Sequence, residues 1–380
     1  MPSSPVSRRD FARTVGQSLA VAVAAPGLLS AQAANRHQPE PESGIRLNYN
    51  ESPYGPSPKA MQALVACGHI ASRYPDTAHG KMTDAIAHMH GVQSENVLLG
   101  CGSTEILQVC DATFLGAGKN AVVAEPTFET VLEYASVMQA DPVKIPLTAD
   151  HRHDLPRMAA SCTSKTGLVY VCNPNNPTGT IVTRDEFAQF VPRIPPSTLI
   201  LVDEAYYDFA DDPKYGTALG WVDESPNVVV ARTFSKIYGM AGMRLGYAIG
   251  AKETIAQMRK EILQMNGNAA VLAAAFASLS DREWISETLQ KMNGSRRWLC
   301  EQLAKDGRAF IPSQANFVMI DMGSDVGPYI GQFTARKILV GRRFSSMGSF
   351  LRVSIGTQPQ MESFVAALRE IAPVNGARAA

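Results

Sequence analysis

One device recurs along this chain and constrains its fold more than anything else. A short apolar run ends abruptly in a polar cluster, and a helical stretch follows. Val97, Leu98 and Leu99 break at "GCGSTE" and lead into a helix through Leu115. "AVVAEP" (121–126) leads into "TFETVLEYASVMQ". "GLVYVCNP" (167–174) ends in the turn "NPNNPTG", and "TLILVDEAYYDF" (198–209) ends in acids and tyrosines. "NVVVA" runs into "RTFSKIYGMAGMRLGY", and "GYAIGA" (246–251) follows. Runs that are apolar at every position are strands buried on both faces. Strands alternating with helices predict an α/β fold with a mostly parallel sheet. Such sheets bind ligands outside the carboxyl ends of their strands. The polar clusters are therefore expected to converge on one crevice.

The character changes after residue 252. Residues 252–310 read as largely helical, including a long helix over "TIAQMRKEILQM" and another over "ETLQKMNGSRRWLCEQLAKDG". Short strands at "ANFVMIDM", "KILVGRRF" and "FLRVSIG" and a closing helix at "QMESFVAALREIA" predict a smaller α+β domain. The expected division is a large domain over 57–265 and a small one over 266–375, preceded by an arm or linker over 34–56.

The first 33 residues read differently. "SRRDFAR" precedes a broken apolar stretch and then Ala31-Gln32-Ala33, a small-x-small cleavage pattern. Arg8 and Arg9 followed by Phe11 resemble a twin-arginine signal, which a receptor reads. The expectation is export of the folded chain by the twin-arginine machinery to a periplasmic or other extracytoplasmic location.

Lysine plus arginine equals aspartate plus glutamate at 35 each, which argues against a nucleic-acid partner. Cys67, Cys101, Cys110, Cys162, Cys172 and Cys300 form no CxxC pair and read as buried thiols. The paired histidines at 88/90 and 151/153 have no Cys or acidic cluster to complete a ligand set, so no metal site is expected.

The chemistry lies in the strand-end clusters. Gly102, Ser103 and Thr104 sit at a helix N-terminus, where free N–H groups and the positive dipole end suit an anion. A plain N-cap explains them equally well when taken alone. Asn176 follows a buried strand, and Asp203 leaves another, where a carboxylate could hold a cationic ring nitrogen protonated. Lys236 follows a β-branched run and precedes three glycines. A partly desolvated lysine beside cations has a lowered pKa and acts as an amine nucleophile. Arg244 can bind an anion bidentately. A cofactor with one phosphate, one aldehyde, one pyridine nitrogen and one phenolic oxygen needs this set. Pyridoxal phosphate has all four.

Eight stretches in order resemble the fold-type I, class I/II aminotransferases, and most of all the histidinol-phosphate aminotransferase branch. They are "LNYNESPYGPSPKA", "SRYPD", "GCGSTEIL", "EPTFETVLEYA", "NPNNPTGT", "VDEAYYDF", "RTFSKIYGMAGMRLGY" and "FLRVSIGT". The resemblance implies that Lys236 forms the Schiff base and Asp203 pairs with the pyridinium nitrogen. It implies that Tyr206 and Asn176 bond the phenolic oxygen and that Phe128 stacks on the ring. Gly102, Ser103, Thr104, Ser235 and Arg244 would hold the phosphate. Tyr74 would reach the phosphate of a neighbouring subunit, which implies a homodimer. Arg352 would clamp the substrate α-carboxylate, with Asn176 and Arg342 also on the substrate side; Arg343 is the alternative to Arg342. The implied reaction is transamination between an amino acid, or a histidinol-phosphate-like amine, and a 2-oxo acid. A decarboxylase or lyase using the same cofactor residues is the alternative. Members that act on phosphorylated substrates carry a Pro-Tyr step upstream of the "LNxNE" motif. Here no tyrosine precedes Tyr49.

Overall fold

The computed structural model describes residues 44–373. The signal expected over 1–33 and residues 34–43 of the arm expected over 34–56 lie outside the described residues. In chain order the strands are β1 (Ile45–Leu47), β2 (Val97–Gly100), β3 (Asn120–Glu125), β4 (Asp141–Pro146), β5 (Thr166–Cys172) and β6 (Leu199–Asp203). They continue with β7 (Val228–Thr233), β8 (Gly246–Gly250), β9 (Phe310–Ile311), β10 (Phe317–Asp321), β11 (Ile338–Val340) and β12 (Phe350–Ser354). The α-helices are α1 (Pro58–Ala66), α2 (Asp76–His90), α3 (Gly102–Phe114), α4 (Thr130–Val137), α5 (Leu155–Ala160) and α6 (Arg184–Phe190). After them come α7 (Lys252–Met258), α8 (Ala269–Leu279), α9 (Arg282–Lys305), α10 (Gly327–Ala335) and α11 (Gln358–Ile371).

Seven strands form one sheet in the order β2-β8-β7-β6-β5-β3-β4. β3 to β7 run parallel, and β8 is antiparallel to both β7 and β2. A parallel return needs a crossover, usually a helix. Residues 234–245 spend that length on the crevice instead, so β8 comes back antiparallel. The strand interiors explain the uninterrupted apolar runs. Val169, Val171, Ile200, Val202, Val228 and Val230 enter one core, and Leu168, Tyr170, Leu199, Leu201, Val229 and Ala231 enter the other. Burial on both faces leaves no polar alternation to see. β4 carries Pro142 and Pro146, is an edge strand and does not read as a strand in the sequence.

Helix starts follow local chemistry. The Ser57 hydroxyl accepts the Ala60 N–H ahead of α1, and capping boxes at Thr183/Glu186 and Thr357/Gln360 open α6 and α11. The long helix expected over "TIAQMRKEILQM" stops at Met258. The following residues turn so that Asn266 reaches back to donate to Glu105 (2.7 Å) and Arg259 to the Val97 carbonyl (3.0 Å). Those tertiary bonds replace continued helix.

The C-terminal part builds its own sheet, β12-β10-β9, and its own core around Leu299, Val318, Leu351 and Phe364. α8 packs on α1 and α2 and adds Val271, Leu272 and Ala275 to the core of the large sheet. β1 pairs with β11, so residues just before α1 belong by packing to the C-terminal part. Cys67, Cys110 and Cys172 are buried and Cys162 and Cys300 half-buried, but Cys101 is exposed, contrary to its reading as a buried thiol. It sits in the bend between β2 and α3, where the chain turns out of the sheet.

Candidate active site

The register places Cys172 beside Asp203 and Asp203 beside Ala231. The loops after β5, β6 and β7 therefore leave the sheet at the same edge. Lys236 is half-buried in the last of them. Its ammonium lies 3.4 Å from the Tyr49 carbonyl and 5.4 Å from the centre of the Tyr206 ring. Loss of water pulls its pKa down to about 8, and the positive charge of Arg352 adds to this. Glu51 and Asp203 pull the other way.

Asp203 is 2% exposed at the end of β6. Its carboxylate accepts from the Tyr170 hydroxyl (2.9 Å) and the Ala205 N–H (3.0 Å). Burial outweighs those bonds and the nearby lysine, and pushes its pKa up to about 6. A cationic partner would restore the charged form.

Tyr206 is buried, edge-on to Phe317 with ring centres 5.0 Å apart. Its oxygen accepts from Asn50 Nδ2 (3.1 Å) and, at greater length, from Asn176 Nδ2 (3.5 Å). Asn176 Oδ1 in turn accepts from Arg352 Nη1 (2.6 Å), and Arg352 Nη2 donates to the Asn48 carbonyl (3.0 Å). Nε of Arg352 is buried with no partner. Burial lowers the pKa of this guanidinium to about 10.

The helix end has the geometry of an anion cradle. α3 starts without a side-chain cap. Glu105 bonds the Cys101 N–H (2.6 Å) and Asn266, so it does not occupy the first turn's own N–H groups. Gly102 has φ +78°, and a Cβ there would lie 2.4 Å from Arg244 Nη2, so the guanidinium covers the helix end. Gly246 lets the same end press on β8, since a Cβ would meet the Ser103 nitrogen at 2.3 Å. Arg244 donates to the Ser235 hydroxyl (3.3 Å) and to the Ala241 carbonyl (2.9 Å). Ser103 and Thr104 are half-buried beside it.

Phe128 is half-buried at the edge of the core between the sheet, α3 and α4. Of the two candidate arginines, Arg343 pairs with Asp325 (2.6 Å). Arg342 pairs with Glu129 and lies 4.4 Å over the Phe344 ring, and Arg352 lies 5.1 Å over that same ring. Arg342 is thus the one on the crevice side. Tyr74 stands 81% exposed on the loop before α2 and has no hydrogen bond to the crevice within one chain.

Sequence reasoning assigned no role to Asn48, Asn50, Glu51 or Tyr170. The first three lie in the "LNYNES" stretch, whose motif was visible but whose contacts come from the far end of the chain. Tyr170 carried a usable signal, as a hydroxyl in an otherwise aliphatic strand.

These residues fit pyridoxal phosphate. An uncapped helix end roofed by an arginine suits its phosphate. A buried carboxylate awaiting a cation suits its ring nitrogen, and a buried hydroxyl with two N–H donors behind it suits its phenolic oxygen. A lysine with a depressed pKa suits its aldehyde. The family of class I and II aminotransferases matches residues 42–368. A histidinol-phosphate aminotransferase of Moorella thermoacetica is 39% identical over 86% of this chain and 85% of its own length. An aromatic amino acid aminotransferase of Rhodococcus jostii is 35% identical over 85% and 88%. The structure of Sinorhizobium meliloti histidinol-phosphate aminotransferase in complex with pyridoxal 5'-phosphate superposes with a TM-score of 0.82 at 27% identity, covering 92% of this chain and 99% of that one. The fold, the crevice and the relatives agree: this chain belongs to the class I and II aminotransferases, enzymes that use pyridoxal 5'-phosphate to move an amino group between an amino acid and a 2-oxo acid.

Proposed function

We propose that Lys236 carries the cofactor and that the crevice residues divide its binding among them. Gly102, Ser103, Thr104, Ser235 and Arg244 hold the phosphate. Asp203 faces the pyridine nitrogen, Tyr206 and Asn176 face the phenolic oxygen, and Phe128 covers the ring. When bound, the cofactor supplies an electron sink for the substrate carbon that loses its proton. The Lys236 amine, with its pKa near 8, gives up and regains a proton at Nζ close to neutral pH.

One observation carries the substrate class. Arg352 is a buried cation whose contacts are neutral carbonyl oxygens, with one N–H left over. A buried charge without a counter-ion is costly, and an incoming α-carboxylate supplies one. Arg342, over Phe344 and paired with Glu129, meets the remainder of the substrate. Aromatic amino acids and histidinol-phosphate-like amines are the candidates that the relatives' activities add.

The working form is a homodimer. Tyr74, Val65, Met61 and Phe276 are exposed and apolar on α1, α8 and the loop between α1 and α2, and Tyr74 is then free to reach a neighbouring crevice. The N-terminal sequence adds twin-arginine export and work outside the cytoplasm. Detection of the mature chain in a periplasmic fraction tests that.

The test of the whole reading is a panel of single amino acids, each with a 2-oxo acid acceptor. Keto-acid product without carbon dioxide is the expected result, and Lys236→Ala should abolish it. Full turnover in that variant, or release of carbon dioxide, would overturn the assignment.

A further inference from the structure

Asn50 has no role so far and is committed through backbone and side chain alike. It is 2% exposed and holds a left-handed backbone, φ 55°. Its N–H donates to the Ser354 hydroxyl (2.8 Å), and its carbonyl accepts from Asn316 Nδ2 (2.9 Å). Its side-chain oxygen accepts from the same Ser354 hydroxyl (3.1 Å), and its Nδ2 donates to the Tyr206 oxygen (3.1 Å).

The proton count in this network has one solution. Ser354 is buried and its one proton has a single acceptor, Asn50 Oδ1, whereas a flipped carboxamide would leave that proton without one. The Asn50 carboxamide is thereby oriented with its NH₂ toward Tyr206. Asn176 is oriented likewise, because its Oδ1 is taken by Arg352. Both neighbours of the Tyr206 oxygen are donors. The Tyr206 O–H therefore cannot be given to either, and it points into the crevice.

We infer that Asn50 is a positioning residue of the transamination site: its carboxamide fixes the direction of the Tyr206 hydroxyl and ties it, through Ser354, to the strand that carries Arg352. The inference rests on the reading above that Tyr206 meets the cofactor's phenolic oxygen. Ser354 lies two residues beyond Arg352 on β12 and opposite Phe317, which packs on the Tyr206 ring. One short strand end thus sets the carboxylate clamp, the aromatic wall and, by way of Asn50, the hydroxyl. Three charged groups act around Tyr206: Arg352, Asp203 and Lys236.

The test uses the cofactor-loaded enzyme and the pH midpoint of its visible absorption band. A hydroxyl donated to the phenolic oxygen stabilises its anionic form and lowers that midpoint. Tyr206→Phe sets the full scale, a rise of about one unit or tenfold in proton affinity. Asn50→Asp keeps the left-handed backbone acceptable but replaces the donor with an acceptor, which draws the Tyr206 proton away from the crevice. It should raise the midpoint by at least half of the full scale. Asn50→Gly, without an added charge, should move it the same way by less. Ser354→Ala should also raise it, and Ser354→Thr, which keeps the hydroxyl, should not. In these variants kcat should fall while KM for the amino donor changes by less than about threefold. If Tyr206→Phe moves the midpoint and the Asn50 and Ser354 variants stay within about 0.2 unit of wild type, Asn50 is merely structural and the inference fails alone. If Tyr206→Phe leaves the midpoint in place, the role given to Tyr206 fails and the inference falls with it. Should the Asn50 variants not fold, the Ser354 pair decides the matter.

Discussion

Two arginines of this enzyme are equally buried, at 8% exposure each, and have opposite fates. Arg232 lies on the face of the Tyr207 ring at 3.8 Å and donates twice to the Glu204 carboxylate, at 2.7 and 3.0 Å. Burial works to lower its pKa, but the Glu204 charge and hydrogen bonds, with Tyr247 and Asp208, together more than reverse that, and the net is a rise. Arg352 also lies over aromatic rings, yet its bonds go to an amide oxygen and a backbone carbonyl, and its pKa falls. A buried cation answered by a carboxylate is structurally complete. One answered only by neutral oxygens has a charge left without a counter-ion. The same burial therefore marks a structural pair in one place and, on the role proposed for Arg352, a binding site in the other.

The contrast breaks first at Arg232. Arg232→Leu strands the Glu204 carboxylate, whose side chain is fully buried, and should cost about 3–5 kcal/mol of unfolding free energy in urea. Adding Glu204→Leu should recover most of that loss, since an apolar pair can replace a buried ion pair. A single variant as stable as wild type would mean that the pair is solvated in solution. Arg352→Leu should do the reverse. Stability should hold or rise, while kcat/KM for amino acids falls by about 10²–10³-fold, the scale of a lost charge-assisted contact. If this variant unfolds as readily as the Arg232 variant, the distinction between the two arginines collapses.

The two regions also differ in how far the sequence revealed them. The cofactor side is written in contiguous stretches at strand ends, so "GCGSTE", "VDEAYYDF" and "RTFSK" show strand, break and polar group together. Lys236, Asp203, Asn176, Tyr206, Ser235 and Arg244 could all be named from that pattern and from the family resemblance. The substrate side is assembled across the chain. Arg352 meets Asn176 from 176 positions away, and Asn50 meets Ser354 from 304. No local periodicity encodes such pairings, which is why the role of the "LNYNES" strap stayed hidden. The choice between Arg342 and Arg343 was hidden for the same reason. In the segment after β11 Arg342 lies over Phe344 and Arg343 pairs with Asp325, a matter of tertiary packing.

A third buried charge extends the comparison. Asp111 on α3 is fully buried among apolar neighbours, and neither carboxylate oxygen has a partner. Arg232 is paired with a carboxylate and Arg352 is bonded to neutral oxygens, but Asp111 has neither and is answered by a proton. Burial pushes its pKa up to about 8, from an unfolded value of 3.8. Between those values the folded chain keeps the proton and the unfolded chain loses it. The contribution of Asp111 to stability therefore declines as pH rises from about 4 to about 8, by up to about 1.4 kcal/mol per unit. Asp111→Leu removes the titrating group and keeps the site apolar. Other titrations cancel when variant and wild type are compared at each pH. The stability gained by the variant should grow by about 2 kcal/mol between about pH 5.5 and pH 7, read from urea midpoints. A gain that stays flat across that range would mean that Asp111 is ionised in the folded enzyme. It would then have a counter-charge after all, and the three-way contrast would reduce to the two arginines.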